Sequence, residues 1–480
     1  MRIELQAQPF YESLPTTSRP RILLLSENFP PAQTAGSLRW EKFANALIEG
    51  GFALDVLTTR PKPFGPEDRF NLDRQLVRGD CRLWAVERPS GRLEGIANLV
   101  SAAVRKSRGR YRSFRGSVHT PRPARVVPPY RPGSIAATEL RWIPRGAREA
   151  YRTYNALAHY EAGSAWVSET CRVALPIIGQ YSGHCGVISS GPPHLAHLAA
   201  RKIARETGLP FAIDLRDPWS LPRRVPEAHA SPAFFALARL CERPVVESAA
   251  VVIVNTESVR LAMSRRYPHQ RQRIITITNG FDAEALPDEP TESVFTIRYA
   301  GAIYLDRDPR PLFESIADFM RVRGLRPENV RLELIGAVDT FDGVPVRTLA
   351  QRAGLEAVVQ TRPKMSRDEL RPLLMSSHVL VSLPQDSEWA IPSKVFEYMP
   401  FRSHLLLYGE EGSPIAHLLR GTDIPVVSKR DVGLVADMLG TWYDQFIAGE
   451  TTSRRRMDKR FSRDTQAEIL VRHLARAFRR

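Results

Sequence analysis

Lys394 and Glu397 stand three residues apart in the stretch PSKVFEYM, with Val395, Phe396 and Met399 supplying apolar contact around them. Pro392 or Ser393 can open a helix there and Pro400 ends it, so the predicted helix has only about two turns. On such a helix the ammonium and the carboxylate share a face. As an exposed pair they would gain about 0.3–0.5 kcal/mol from each other, too little to require this placement in a loop that follows a strand. A carboxylate accepting two ribose hydroxyls, beside an ammonium near phosphate, would require it.

Three further loops that follow predicted strands carry unusual residue types. In FAIDLRDPWS an apolar run ends in Asp214, Arg216 and Asp217, followed by Pro218 and Trp219. Charges there are costly to bury unless paired or bound to ligand; a structural Asp–Arg pair would account for them, and a contact at a site is the expectation. In SENFPPAQTAGSLRW, Gly36 and the helix start after it could let backbone amides approach a phosphate, or simply serve a turn. The full G-x-G-x-x-G pattern is absent, which leaves a dinucleotide cofactor without support. In ISSGPPHLAHL a Gly-Pro-Pro turn opens a helix predicted to start with His194 and to carry His197 on the same face. No carboxylate accompanies them in the H-E-x-x-H manner, so surface or capping histidines are expected and no metal centre is.

The elements that must position these residues alternate along the chain. RILLLSENFP, GSLRWEKFANALIEGGF and ALDVLTT read as strand, helix and strand. The same order returns at CGVISSG, HLAHLAARKIARETGLP and FAIDLRD, and again at AAVVIVNT, ESVRLAMSRRYP and RIITITNG. Parallel strands need such crossovers, so a parallel sheet flanked by helices is predicted. In such sheets ligands sit beyond the carboxyl ends of the strands, where all four loops fall. A second series begins near residue 294 with VFTIRYAGA, RPLFESIADFMRVRG and VRLELIGA, and runs through HVLVSLP, PSKVFEYM, HLLLYG and DIPVVS. The predicted division is residues 1–285, with a basic insertion at about 88–145, then 294–430, then a tail at 431–480 ending in the amphipathic AEILVRHLARAF. FDAEALPDEPTES, with Pro287, Pro290 and clustered acids, reads as the linker between the halves.

The chain has 480 residues, enough for sizeable cores, and 43% hydrophobic residues place it among ordinary globular proteins. Cys81, Cys171, Cys185 and Cys241 lack the close spacing of a zinc or dithiol site, and free thiols in a reducing cytosol are expected. The opening residues have no signal-peptide form and no apolar run approaches a membrane span, so a cytoplasmic location is expected. The formal charge of +16 favours acidic partners. Within VRKSRGRYRSFR, Arg105, Lys106, Arg108, Arg110, Arg112 and Arg115 follow the amphipathic LEGIANLVSAAV. A solvated basic loop and a contact with anionic lipid at the inner membrane face both fit residues 105–115. No recognition motif supports nucleic-acid binding.

Taken in order, RILLLSENFPP, GFALDVLTT, ISSGPPHLAHLAARKIARETGLPFAIDLRDPW, VVIVNTESVRLAMSRRYP, ITNGFD, YAGAIYLDRDPRPLFESI and PSKVFEYM resemble the successive motifs of the family 4 glycosyltransferases. The resemblance covers nearly the whole chain except residues 60–140 and the tail. It implies an α/β protein of GT-B fold: two Rossmann-like domains with parallel sheets facing each other across a cleft, and a C-terminal helix packing back across them. It implies a retaining enzyme that moves a sugar from a nucleoside-diphosphate sugar to a glycan or lipid-linked acceptor in polysaccharide synthesis, without a metal. By position it places Gly36, Gly301, Arg307, Lys394 and Glu397 at the donor, with Glu397 on the ribose. His194 and Arg216 fall on the acceptor or sugar side, and Asp217 and Glu388 are the catalytic candidates. The sequence departs from the family at Ala302, where an arginine is expected, and at Trp389, where the first glutamate would stand; Glu388 and Asp386 are its nearest carboxylates. A GT-B epimerase and a non-catalytic binding protein are the competing readings. Product formation from donor alone separates the first, and absence of turnover the second.

Overall fold

The structure, a computed structural model, describes residues 8–13, 19–32, 34–60, 63–76, 80–87, 93, 144–221, 231–282, 292–304, 306–385, 388–450 and 458–478. Residues 105–115, and the lipid contact expected of them, lie outside this set, as does Asp386. The chain forms two compact units, Met1–Thr278 with Ala467–Arg480, and Asn279–Gln466.

Among its described residues the first unit holds eight strands: β1 (Tyr11–Glu12), β2 (Arg21–Leu25), β3 (Ala53–Thr58), β4 (Cys81–Ala85), β5 (His184–Gly191), β6 (Phe211–Leu215), β7 (Val251–Val254) and β8 (Ile274–Thr276). Their order is β1-β4-β3-β2-β5-β6-β7-β8, and every neighbouring pair is parallel except β1 with β4. β2, β3, β6 and β7 are buried along their whole length. That follows from helices on both faces of a parallel sheet, and it is why these strands read as apolar runs rather than alternating ones. The helix Ala35–Glu49 after β2 is capped by Thr34, whose hydroxyl accepts from the Ser37 amide at 3.1 Å. Ser231 and Thr256 cap Pro232–Ser248 and Glu257–Arg266 in the same way.

The longest helix among the described residues, Arg145–Gln180, lies where sequence reading assigned no element. Ala156, Ala162, Trp166, Thr170, Ala174 and Ile177 recur on its buried side at helical spacing. Its apolar signal is diluted by alanine and by polar residues at buried positions such as Arg152 and Asn155.

The second unit contains β9 (Phe295–Ala300), β10 (Val330–Ile335), the hairpin β11 (Thr340–Phe341) and β12 (Val344–Pro345), then β13 (Val359–Arg362), β14 (Val379–Ser382), β15 (His404–Tyr408) and β16 (Val426–Val427). Its main sheet is parallel throughout, in the order β13-β10-β9-β14-β15-β16. In register across β9 and β10, Arg298 and Glu333 are both fully buried. The arginine also donates to the Leu373 carbonyl at 2.6 Å and to Ser376 at 2.9 Å, while Arg362 donates to Glu333 at 2.7 Å. Burial works to raise the Glu333 carboxyl, and the two guanidiniums outweigh it, leaving it below the ordinary carboxylate value.

The C-terminal fifty residues, set apart as a tail by sequence, are divided between the units. Helix Val432–Ile447 places Val435, Ala436 and Leu439 in the core of the second unit. Helix Arg463–Phe478 places Ala467, Leu470, Leu474 and Phe478 among Leu47, Phe52 and Leu54 of the first. Gly186 on β5 is required by this packing, since a Cβ there would overlap the Phe478 ring.

Replacing Arg298 by methionine leaves Glu333 buried with one cation fewer. We expect a loss of about 3–5 kcal/mol, read as a lower denaturation midpoint for the second unit, whereas Arg331→Met at the half-exposed end of the network has little effect.

Candidate donor and acceptor sites at the strand ends

In a doubly wound sheet the crevice for a ligand opens where consecutive strands depart to opposite sides. In the second unit that point is between β9 and β14, because β9 leads through β10 to β13 on one side and β14 leads to β15 and β16 on the other. The hydrogen-bonded ladder between β9 and β14 ends at Arg298 and Leu380, so the backbone of Ala300 faces a gap. The Tyr398 phenol fills it: Oη accepts from the Ala300 amide at 2.9 Å. Burial pushes this phenol well above its ordinary value, so it stays protonated and also donates toward the Ala300 carbonyl at 3.4 Å.

Tyr398 is the last residue of helix Ser393–Tyr398, the short helix predicted from PSKVFEYM. Val395 and Phe396 are buried beneath it, which turns Lys394 and Glu397 outward at the strand ends. Their charged groups meet at 2.6 Å, each side chain between a fifth and a third exposed. Burial acts to raise the Glu397 carboxyl; Lys394, a hydrogen bond from Ser393 and the field of Arg463 outweigh it, and the group lies below the ordinary carboxylate value.

The loop after β9 brings in the next two predicted residues. Gly301 follows the strand directly, and the space that a Cβ would take is held by the Tyr299 hydroxyl, 2.6 Å away, which donates to the Ala302 carbonyl at 2.8 Å. Glycine is therefore required here by the packing of Tyr299, a reason the sequence motif does not reveal. Arg307 lies over the Tyr304 ring at 4.6 Å and donates to Gln385 Oε1 at 3.2 Å. Gln385 belongs to the loop after β14, so this contact joins the two loops that flank the switch point. Glu388, in the same loop, is exposed.

In the first unit the switch point lies between β2 and β5. Asp214 is fully buried near the end of β6 and accepts from Arg39 Nη2 at 3.2 Å, Trp40 Nε1 at 3.1 Å and Ser190 Oγ at 3.1 Å. The structural Asp–Arg pair thus exists, but its arginine is Arg39 from the helix after β2. Arg216 points elsewhere: it donates to the Pro192 carbonyl at 2.5 Å, and its guanidinium occupies the space where Gly36 would carry a Cβ. Burial, with Arg39 adding to it, destabilises the charged form of Arg216, while Asp214 and Asp217 favour it. The room over Gly36, expected for a phosphate, is filled by this side chain. Asp217 is partly exposed beside it.

His194 precedes its helix rather than starting it, because the helix runs Ala196–Thr207. Its ring stacks on the buried Trp219 at 5.6 Å and lies 5.8 Å from that of His197. His197 is fully buried, 2.8 Å from Ser189 Oγ, and burial followed by the field of Arg216 lowers its pKa to about 3. Capping and surface roles are therefore excluded for this residue. The loop that carries Asp217 and Trp219 is held by Glu242, which accepts from the Ser220 amide at 2.9 Å and from Tyr267 at 2.8 Å. Sequence reasoning missed Glu242, Tyr398 and Gln385, since each acts on a partner distant in the chain. Among the described residues, no group of three or more His, Cys, Asp or Glu is placed to hold a metal ion, and no helix is long and apolar enough to cross a membrane.

No protein-family model matches the chain, and no curated protein matches it in sequence. Solved structures match it in shape. Sucrose-phosphate synthase from Thermosynechococcus elongatus aligns over 96% of this chain and 100% of its own, with 14% identity and a TM-score of 0.55. HepE of Anabaena, solved in complex with UDP-glucose, aligns over 95% and 99% with 12% identity and a TM-score of 0.55. A UDP-forming α,α-trehalose-phosphate synthase from Burkholderia xenovorans aligns over 96% and 99% with 13% identity and a TM-score of 0.54. The fold is accordingly the two-domain α/β fold of the GT-B glycosyltransferases.

Gly36→Ala should cost about 1–3 kcal/mol through overpacking against Arg216, and most of that cost should vanish in an Arg216→Ala background; chemical denaturation of the four proteins in the cycle measures this. For His197 the folded value lies below the unfolded one, so its contribution is complete above about pH 6.5 and is lost as pH falls toward about 3. Wild-type stability should decline on acidification through that window, and His197→Gln should show a shallower decline.

Proposed function

We propose that the protein is a glycosyltransferase that moves a sugar from a nucleoside-diphosphate sugar to a glycan or lipid-linked acceptor. The observation that carries the reading is the Lys394–Glu397 pair at the switch point of the second sheet, with Arg307 reaching the same edge. Glu397 is held ionised and half-buried, the state a carboxylate needs to accept two ribose hydroxyls. Lys394 and Arg307 supply positive charge for the diphosphate. As the bond between the anomeric carbon and the phosphate oxygen breaks, negative charge builds on the leaving diphosphate, and fixed cations lower that barrier most when they need not reorganise. The reading assigns this charge to residues of the chain and calls on no metal.

Gly301, whose amide is held by the Ile335 carbonyl at 2.8 Å, gives the loop a close approach to the diphosphate. In the first unit we assign acceptor or sugar contact to His194 and Arg216, with Gly36 keeping the room that Arg216 occupies. Asp217, partly exposed, is the candidate to take the proton of the attacking hydroxyl, and Glu388 the candidate for the sugar contact that Trp389 does not provide. Retention at the anomeric carbon and a place in cell-surface polysaccharide synthesis belong to the family resemblance. The net charge of +16 supports an anionic acceptor or a peripheral contact with an anionic membrane face.

A thermal-shift screen of UDP, GDP, ADP and CDP and their sugars should find at least one that raises the melting temperature. For that nucleotide, Glu397→Gln should weaken binding about tenfold or more in calorimetry, the loss expected for hydrogen bonds to a charged group. Unchanged affinity would remove Glu397 from the site.

A further inference from the structure

The two cations at the donor edge are held in different ways. Lys394 is paired with the Glu397 carboxylate at 2.6 Å. Arg307 is held by neutral groups: Nη1 donates to the Ala302 carbonyl at 3.4 Å, Nη2 donates to Gln385 Oε1 at 3.2 Å, and the guanidinium lies over the Tyr304 ring at 4.6 Å. Among the described residues it makes no ion pair with a carboxylate. Asp308, one residue along, is committed to Arg310, accepting from its Nε at 2.9 Å and its Nη2 at 2.5 Å.

Two of these tethers belong to the loop after β9, and that loop is anchored. The Ile303 amide donates to the Ala337 carbonyl at 2.9 Å, which ties the loop to the end of β10. Gly336 lies so close that a Cβ there would stand 2.2 Å from the Gly301 carbonyl oxygen, and its φ of 123° is one that glycine adopts freely. The Arg307 amide closes a turn on the Tyr304 carbonyl at 3.1 Å, and the side chain folds back over the Tyr304 ring. That ring is half exposed, so it holds the cation only weakly.

Gln385 is the tether from outside the loop, reaching Arg307 from the far side of the switch point after β14. A guanidinium can only donate, so the amide must present its oxygen to it. The Gln385 NH2 group has no partner among the described residues. A glutamate of the same length would bind the guanidinium more strongly and cancel its charge. A glutamine fixes the group and leaves the charge for a ligand, which is the arrangement an anion site needs if it is not to reorganise on binding.

We propose that Gln385 is a positioning residue for the donor site: it holds Arg307 through a neutral contact, so that an unneutralised guanidinium and the Gln385 NH2 group together meet the diphosphate. The inference rests on the assignment of Arg307 to the diphosphate.

The test titrates wild type, Gln385→Met, Gln385→Glu, Arg307→Gln and the double variant Arg307→Gln/Gln385→Met with the tightest binder among UDP, GDP, ADP and CDP. Gln385→Met removes the acceptor at similar length and should weaken binding about fivefold, the worth of one hydrogen bond to a charged group. In the Arg307→Gln background the same change should cost nothing further. Gln385→Glu keeps the contact but sets a carboxylate against the diphosphate, and should weaken binding about tenfold or more, while its melting temperature stays at or above that of wild type. A merely structural role for Gln385 would instead make affinity follow stability. Wild-type affinity in Gln385→Glu, or an equal loss from Gln385→Met with and without Arg307, would overturn the proposal. Inorganic pyrophosphate, titrated into the same five proteins, should rank them in the same order. Pyrophosphate binding in that order with no nucleotide bound would refute the nucleotide reading and keep the role of Gln385. Nucleotide binding without the coupling would do the reverse, and failure of both ligands to bind wild type would refute both.

Discussion

Where two parallel strands part, their backbone groups lose partners, and the chain must supply others or leave them to ligand and water. In the second unit this happens at Ala300, and the Tyr398 hydroxyl meets the need. One hydrogen bond therefore fixes a six-residue helix that is too short to be stable by itself. Because Tyr398 and Glu397 are adjacent, satisfying the strand also sets the position of the carboxylate. Tyr299 works from the other side of the gap, bracing the Gly301 loop through the Ala302 carbonyl. Two tyrosines with buried, protonated phenols thus frame the edge at which Lys394, Glu397 and Arg307 collect.

The first unit meets a similar demand with charge. Asp214 draws in Arg39 and Trp40 from the helix after β2 and Ser190 from the end of β5, and so clamps the region around β2, β5 and β6. With Asp214 committed, Arg216 is left to lie across Gly36 and the Pro192 carbonyl. His197 is kept neutral by its own burial, with the field of Arg216 adding to it, and the rings of His194 and His197 both lie 5.6 Å from that of Trp219. The residue types picked out by sequence do gather at this edge, with one aspartate, Asp214, buried in a structural cluster and the next, Asp217, partly exposed.

The alternation of apolar runs and amphipathic stretches made the two parallel sheets legible, because a strand buried on both faces is a short apolar word and its crossover helix has a period of its own. Lys394 and Glu397 were legible as a pair because both lie within one helical turn. Asp214 with Arg39 was not: the partners are 175 residues apart and nothing local marks them. Tyr398 carried no signal, since its role is defined by the unpaired backbone of Ala300, 98 residues earlier in the chain. The long helix Arg145–Gln180 was hidden by its small buried residues, and His197 by a sequence context that suits a helix surface. The boundary also differs: FDAEALPDEPTES reads as a linker, yet the units divide at Thr278, before it, and Phe281 and Asp282 are bonded to Phe461 and Arg463 within the second unit.

The proposed function requires a nucleoside diphosphate at the strand ends beside the Tyr398 hydrogen bond. A crystal structure of the protein with the nucleotide bound tests it most directly. The ribose hydroxyls are expected on Glu397, the diphosphate beside Gly301 with Lys394 and Arg307 turned toward it, and the Lys394–Glu397 contact opened. A nucleotide bound elsewhere on the second unit, with that contact intact, would contradict it.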